Sequence, residues 1–177
     1  MAPEGLHYVP DVVTPIQEAA LLVQFAGLSP QPIAIRGRLT RRRVHPFGWA
    51  YHPTNKQVTQ VAPMPDSLVA LCHTCCECCA MDNAFQQATV TQYPPGAGIG
   101  AHIDAPLYGD TILVLSLASP AHMRFRLRQS GVHLDLVLAP RSLLLLRGPS
   151  RWEWSHEIVA TSVKQTRWSV TFRSVQS

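Results

Sequence analysis

The chain has 177 residues, 46% of them hydrophobic and 15% charged, and a formal net charge of +4. This composition is typical of one soluble globular domain and excludes a disordered or fibrous chain. No apolar run approaches the roughly 20 residues of a membrane span, and the N-terminus lacks the pattern of a secretory signal. We therefore expect a monomer that is cytoplasmic or nuclear, is not secreted, and favours polyanionic partners.

The first half of the chain predicts two helices joined by short strands and turns. Thr14 precedes a Pro and, three positions on, a Gln, which is the signature of a capped helix over residues 15–27. A second helix is predicted over residues 65–81, with Asp66 or Ser67 as its N-cap. The basic, proline-punctuated segment between the helices predicts short strands and turns.

The second half of the chain has the pattern of a β-protein. Apolar and β-branched runs predict strands over residues 89–93, 111–117, 123–127, 134–138, 142–146 and 168–175. Short strands separated by Gly and Pro favour a jelly roll over βαβ units. We predict a mainly β fold with flanking helices (α+β), a double-stranded β-helix with N-terminal helices packed on one sheet. We expect a single domain over residues 1–177, with helices and substrate-facing loops in 1–87 and the jelly-roll core in 88–177.

The strongest chemical signal lies in the glycine-rich middle of the chain. His102 and Asp104 are two residues apart, so on a strand both side chains project from the same face. Farther along, Trp152, Trp154 and His156 would share one strand face by the same period. Two imidazoles and one carboxylate make a facial triad, which holds Fe(II) and leaves positions open for co-substrate and O2. We predict His102, Asp104 and His156 as the metal ligands.

The last predicted strand carries two arginines on one face. Its faces alternate between Arg167, Ser169, Thr171 and Arg173 on one side and Trp168, Val170 and Phe172 on the other. If the arginine face points inward, its guanidinium groups need an anionic partner, because burying unpaired charge is costly. A dicarboxylate would supply that charge, and guanidinium grips carboxylate bidentately. Iron with a 2-oxo acid that has a distal carboxylate is the arrangement of a 2-oxoglutarate oxygenase.

These motifs resemble those of the AlkB family of Fe(II)/2-oxoglutarate dioxygenases, and the resemblance covers most of the chain. The matching residues are the Tyr-x-x-Gly run at Tyr93, His102 with Asp104, His156, and Arg167 with Arg173. Further matching segments, at residues 42–49, 112–117, 123–125 and 140–150, most resemble the branch that contains the tRNA wobble-uridine hydroxylase.

The resemblance implies Fe(II) and 2-oxoglutarate as cofactors and O2 as co-substrate. It implies that Tyr93 and Arg167 bind the distal carboxylate of 2-oxoglutarate and that Arg173 lies near the end that chelates iron. Thr91 stands where many family members have Asn, and Ser169 stands where the founding bacterial enzyme has Asn. Both are predicted to line the co-substrate site.

Aromatic side chains are candidates for contact with the substrate. Trp49, Tyr51, Tyr108 and Phe125 could form a base-stacking platform or could be ordinary core residues. Tyr108 follows Asp104 by four residues, so we expect it near the mouth of the pocket.

Arginines are the second group of candidate substrate residues. Five of them fall within eight positions: Arg36, Arg38, Arg41, Arg42 and Arg43. The cluster could be a solvated turn between strands or a phosphate-contacting patch. We predict Arg42 and Arg43 as substrate contacts.

All five cysteines fall within residues 72–79. The CxxC spacings would suit a zinc or redox site, but zinc usually takes ligands from two separate segments, and there is no second cysteine pair. On a helix, Cys72, Cys75, Cys76 and Cys79 would share one face. Small buried thiols packed against the sheet are the favoured interpretation, and a metal or redox role stays open.

Three functions are compatible with these residues. The first is a nucleic-acid oxygenase, which either removes an N-alkyl group from a base or hydroxylates a modified uridine in tRNA. The second is the same chemistry on a protein side chain or small molecule. The third is a non-enzymatic scaffold that binds nucleic acid through its basic face. The triad and both arginines argue against the scaffold, which needs none of them.

Overall fold

A computed structural model describes residues 2–35, 37–82 and 85–176, so Arg36 of the basic cluster lies outside the described residues. The strands are β1 (Leu6–Val9), β2 (Gln31–Ile35), β3 (Arg38–Phe47), β4 (Trp49–His52), β5 (Gln57–Gln60), β6 (Gln87–Tyr93), β7 (Ile99–His102), β8 (Tyr108–Leu117), β9 (Ala121–Leu127), β10 (His133–Leu138), β11 (Leu143–Arg147), β12 (Trp154–Ile158) and β13 (Arg167–Val175). The helices are α1 (Pro15–Ala26), α2 (Asp66–Cys78), α3 (Pro149–Trp152) and a 3-10 turn at Ala160–Ser162.

Two antiparallel sheets face each other. The larger has seven strands in the order β1-β11-β8-β13-β6-β3-β2, and the smaller has four in the order β10-β9-β12-β7. Strands β4 and β5 form a separate hairpin. Strands that are adjacent in a sheet are mostly distant in sequence, which is the connectivity of a jelly roll rather than of a meander. The predicted mainly β fold is confirmed.

Helices α1 and α2 cover the outer face of the seven-stranded sheet. One apolar cluster joins residues of α1, α2 and the sheet, including Phe25, Leu68, Val170 and Phe172. Helix α1 begins with the predicted capping box, in which Thr14 and Gln17 bond each other's backbone N–H groups. The predicted cap of α2 is wrong: the helix begins directly after Pro65, which has no side-chain donor or acceptor.

A second apolar cluster fills the space between the two sheets. It includes Ile112, Phe125, Leu144 and Trp154. Phe125 is fully buried in it, so its assignment to a base-stacking platform is wrong, and the alternative of core packing is correct. The core between the sheets fixes the spacing of the strands that carry the candidate site.

Strands β1, β7 and β12 lie outside the strand ranges predicted from the sequence. Strands β7 and β12 carry candidate ligands, for which a strand face was expected. Strand β7 ends at His102, so Asp104 lies two residues beyond it and not on the strand as expected. Trp152 closes α3 and is partly exposed, so it does not share a strand face with the buried Trp154 and His156. The Gly-Pro sequence before α3 starts a helical turn there.

The cysteines of α2 pack as a core-facing stripe. Cys72, Cys75 and Cys76 are buried, Cys79 is half-buried and Cys78 is exposed, and none of the five is in a disulfide. Burial raises the pKa of Cys72 to about 12 and raises the pKa of Cys75 and Cys76 as well. These thiols are therefore protonated apolar contacts, as the favoured interpretation predicted. None of the helices in the described residues is long and apolar enough to cross a membrane.

Candidate metal centre and active site

Strands β7 and β12 bring two histidines together. They pair antiparallel with His102 directly opposite His156, and the centroids of the two imidazole rings are 4.5 Å apart. Asp104 follows β7 and turns its carboxylate toward the pair, so that ligand atoms of all three residues lie within 4.8 Å of one another. Among the residues that the structure describes, these three form the cluster that could hold a metal ion. Their donor set, two imidazoles and a carboxylate, fits Fe(II).

The protonation state of His102 suits a metal ligand. Its Nδ1 atom lies 2.9 Å from the carbonyl oxygen of Gly100, so the tautomer that donates this hydrogen bond leaves Nε2 available. Burial and the neighbouring His156 lower the pKa of His102 to about 4. The ring is therefore neutral near pH 7, as a ligand must be.

Arg173 orients the carboxylate of Asp104. Burial alone would raise the pKa of this carboxyl group, but Arg173 and His156 hold it well below its usual range. Arg173 Nη2 donates to Asp104 Oδ1 over 2.7 Å, and Asp104 Oδ2 lies 3.4 Å from His156 Nε2. A second guanidinium nitrogen of Arg173 contacts Gln87 Oε1 at 3.4 Å. One carboxylate oxygen is thus held by the protein while the other points into the histidine pair.

Arg167 is a buried cation with unused hydrogen-bond donors. Its Nη2 donates to Ser116 Oγ over 2.6 Å, and its guanidinium lies 4.9 Å from the centroid of the Tyr93 ring. Within the described ranges, Nε and Nη1 have no partner although both are buried. Burial lowers the pKa of Arg167, and a buried guanidinium with two open donors has the chemistry to bind a carboxylate. Ser169 and Thr91, a directly paired couple on β13 and β6, are buried beside it.

A cavity of about 900 Å³ opens between the sheets next to the histidine pair. The predicted residues that line it are His102, Asp104, His156, Tyr93, Thr91, Arg167, Ser169, Arg173, Arg42, Tyr51 and Tyr108. The rings of Tyr51 and Tyr108 meet edge to face, with centroids 6.1 Å apart. Tyr108 is only 4% exposed, so it forms the wall of the cavity rather than its mouth.

Two of the predicted substrate residues lie elsewhere. Arg43 is next to Arg42 on β3 and so points to the opposite face of the sheet, where it lines a depression with Phe25 and Trp168. Trp49 is half-buried outside the cavity lining, and its backbone carbonyl accepts a hydrogen bond from Gln87 Nε2. The structure therefore brings Arg42 but not Arg43 to the cavity.

Sequence reasoning missed Arg151, which is 2% exposed. Its guanidinium donates to four backbone carbonyl groups, those of Asp104, Ala105, Tyr108 and Gly109, at 3.0–3.3 Å. These four residues lie within residues 104–109, the segment that carries the candidate metal ligand Asp104 and the cavity-wall residue Tyr108. No sequence signal could have identified Arg151, because its partners are backbone atoms.

Comparison with known proteins agrees with this geometry. The sequence matches the 2OG-Fe(II) oxygenase superfamily over residues 5–173, and the chain belongs to that superfamily. It is a 2-oxoglutarate-dependent dioxygenase that uses Fe(II) and 2-oxoglutarate, as predicted, and AlkB-family proteins are among its relatives.

Two of these relatives and one solved structure illustrate the likeness. The chain is 31% identical to the Mus musculus tRNA (carboxymethyluridine(34)-5-O)-methyltransferase ALKBH8, an alignment that covers 97% of this chain and 26% of the relative. It is 29% identical to the Arabidopsis thaliana alkylated DNA repair protein ALKBH8 homolog, over 96% of this chain and 55% of the relative. The chain thus spans about a quarter of the length of the animal ALKBH8 relatives it matches. The structure of OsALKBH1 superposes with a TM-score of 0.74 at 13% identity, covering 98% of this chain and 99% of the other, a likeness of fold.

Proposed function

We propose that His102, Asp104 and His156 hold Fe(II), and that Arg167 with Tyr93 binds the distal carboxylate of 2-oxoglutarate. Bound iron would supply the O2 chemistry, in which 2-oxoglutarate is converted to succinate and CO2 while a substrate C–H bond is oxidised. The unpaired nitrogens of Arg167 support its role, because they lie where a carboxylate would complete their hydrogen bonds.

The protein prepares this centre in two ways. Arg173 keeps the Asp104 carboxylate ionised and oriented before the metal arrives. Ser169 and Thr91 offer hydroxyl groups beside Arg167, which would position the bound co-substrate.

We propose that the substrate is an alkylated or otherwise modified base in nucleic acid. The carrying observation is the cavity beside the triad, which combines an aromatic wall of Tyr51 and Tyr108 with the cationic side chains of Arg42 and Lys56. A planar base can stack on the aromatic wall, and phosphates can pair with the cationic side chains. The names of the ALKBH8 relatives, which refer to a tRNA uridine and to alkylated DNA, support the same substrate class. A base in a duplex would have to be flipped out to enter.

The position of the oxidised carbon decides the product. Hydroxylation of a carbon attached to a ring nitrogen gives a hemiaminal, which collapses to formaldehyde and the unmodified base. Hydroxylation of a carbon attached to a ring carbon leaves a stable alcohol. The two chemistries need the same residues and differ only in the substrate.

The test is a turnover assay with Fe(II), 2-oxoglutarate and ascorbate mixed anaerobically before O2 is admitted. Succinate is measured with methylated DNA oligonucleotides, with methylated RNA and with bulk tRNA, and product nucleosides are identified by mass spectrometry. Formaldehyde release would assign a demethylase, and a gain of one oxygen in tRNA without formaldehyde would assign a hydroxylase. Asp104→Ala is the control, since loss of a ligand should abolish turnover.

The assay can also refute the substrate class. If substrate-independent decay of 2-oxoglutarate is seen, but no nucleic acid stimulates it or is altered, the substrate is a protein or small molecule instead. Turnover that persists in Asp104→Ala would refute the metal assignment.

We further propose that residues 1–177 act as one dioxygenase domain. The cluster that joins Phe25 of α1 to Phe172 of β13 supports this, because helices in residues 1–87 and strands in 88–177 bury the same apolar surface.

A further inference from the structure

The charged groups around the cavity are unevenly distributed. In the described part of the chain, its lining contains four cationic side chains, Arg42, Lys56, Arg167 and Arg173, and one carboxylate, Asp104. Arg173 is paired with Asp104, and Arg167 faces the proposed co-substrate site. Arg42 and Lys56 are the two cations of the lining that have no assigned partner.

Arg42 has no counterion. It lies half-buried on β3 and lines the cavity, and no hydrogen bond or ion pair joins its guanidinium to another of the described residues, the ion pairs of the site being those of Asp104 with Arg173 and His156. Burial lowers its pKa, as does the nearby Arg173, while Tyr93 and Asp104 act in the opposite direction. A guanidinium that lines a cavity without a counterion offers its donors to an anion, and charge-assisted hydrogen bonds of this kind are stronger than neutral ones.

The cofactors do not supply that anion. Fe(II) and 2-oxoglutarate carry equal and opposite charges, so their binding leaves the positive excess of the cavity unchanged. One carboxylate of 2-oxoglutarate goes to Arg167 and the other to the metal in the proposed arrangement. The remaining occupant of the cavity is the substrate.

We propose that Arg42 binds an anionic group of the substrate, a carboxylate or a phosphate, inside the cavity, with the exposed Lys56 as a second cation at its edge. The inference deepens the proposed function and rests on it for the nucleotide nature of the substrate. Two sources would fit: a carboxylate on a base substituent, or the phosphate of a nucleotide turned into the cavity. Because a charge-assisted hydrogen bond is stronger than a neutral one, Arg42 would select against uncharged analogues.

The experiment uses the full chain with Mn(II) in place of Fe(II) and saturating 2-oxoglutarate. Paramagnetic relaxation of ligand nuclei by Mn(II) reports binding near the metal, and it detects weak ligands. Four probes are titrated: uridine, uridine 5′-monophosphate, 5-carboxymethyluridine and phenyl phosphate. Wild type is compared with Arg42→Met and with the matched Arg43→Met, which removes the same charge from the opposite face of β3. Arg42→Gln is the second variant.

We expect wild type and Arg43→Met to bind uridine 5′-monophosphate or 5-carboxymethyluridine about tenfold or more tightly than uridine. A factor of about ten corresponds to the strength of a charge-assisted hydrogen bond. Arg42→Met should lose this preference and keep its affinity for 2-oxoglutarate. Tight binding of the monophosphate assigns a phosphate, and tight binding of 5-carboxymethyluridine assigns a base carboxylate. Phenyl phosphate held through Arg42 without either nucleoside anion would support the anion site and refute the nucleic-acid substrate.

Three results would overturn the proposal. The first is the absence of relaxation for every anionic probe. The second is a preference for the anionic probe that survives in Arg42→Met and Arg42→Gln. The third is a loss of 2-oxoglutarate affinity in those variants that equals the loss of probe affinity. The last result would assign Arg42 to the co-substrate instead.

Discussion

Arg151 should be a positioning residue for the segment that carries Asp104. Its guanidinium is buried and is bonded to four carbonyl oxygens between residues 104 and 109. Substitution of Arg151 by Met keeps much of the aliphatic volume and removes every one of these bonds. We expect the segment to loosen and the Asp104 carboxylate to lose its fixed position relative to His102 and His156.

The size of the effect follows from the acceptors that are left behind. Three of the four hydrogen bonds are fully buried, and an unsatisfied buried acceptor costs about 1–3 kcal/mol. The costs do not simply add, because the segment can relax and because Met removes the desolvation cost of the cation. We expect the free energy of unfolding to fall by about 3 kcal/mol, which lowers Tm by roughly 6–12 °C in a chain of this size. Affinity for Mn(II) should fall roughly tenfold, the usual effect of disturbing the groups that orient a ligand.

Thermal unfolding and Mn(II) titration by electron paramagnetic resonance measure the two effects separately. Arg128→Met is the matched control, because Arg128 is exposed and its loss should change stability by about 0.5 kcal/mol or less. If Arg151→Met is too unstable to purify, Arg151→Lys replaces it in both measurements, because lysine keeps the charge and can reach some of the four carbonyl groups. The reasoning is refuted if Arg151→Met matches Arg128→Met in both stability and Mn(II) affinity.

Three further predictions concern other parts of the molecule. Arg167→Gln should abolish the stabilisation that 2-oxoglutarate gives in a thermal shift assay. The ligand-free variant should be no less stable than wild type, because the substitution removes a buried charge that has no counterion. A ligand-induced shift like that of wild type would contradict this prediction. With a thiol reagent at pH 8, Cys78 should react at once and the buried thiols of α2 only on unfolding; equal rates for all five would contradict their burial. Gly98→Ala should lower the free energy of unfolding by about 1–3 kcal/mol in denaturant unfolding, since its Cβ would collide with backbone atoms of Ile158 and Ala160. The control is Gly100→Ala, whose Cβ meets open space and which should change stability little. Equal effects of the two substitutions would refute the packing argument.

The sequence alone predicted the structure correctly where side chains alternate between two distinct environments. Strand β13 shows this, since Trp168 and Phe172 pack under the helices while Arg167 and Arg173 face the cavity. Its period of two could be read without knowing its neighbours. The cysteine stripe of α2 was readable for the same reason, with the period of a helix.

The sequence alone did not predict the structure where a segment is fixed by partners that are distant along the chain. Strand β7 has four residues including a glycine, and it pairs with β12 more than 50 positions later. The spacing of His102 and Asp104 suggested a strand there, but the end of that strand at His102 depends on the distant pairing. Asp104 lies on the segment after it, held by Arg151 and Arg173 rather than by strand geometry. The candidate triad was predicted from residue types, but the means of positioning its carboxylate was not.

The buried arginines divide into classes by how many of their nitrogens have partners. Arg151 lies among carbonyl acceptors and leaves no buried nitrogen without a partner in the described residues, so it has no capacity left for a ligand. Arg167 has two unpaired buried nitrogens and Arg173 has one, its Nε. Since an unpaired buried guanidinium nitrogen is costly, the protein carries this cost at the two positions that face the proposed co-substrate. A cation whose donors are all used stabilises the fold, whereas one whose donors are open defines where an anion will bind. The sequence contains arginine in every case, and only the hydrogen-bond partners distinguish the two roles.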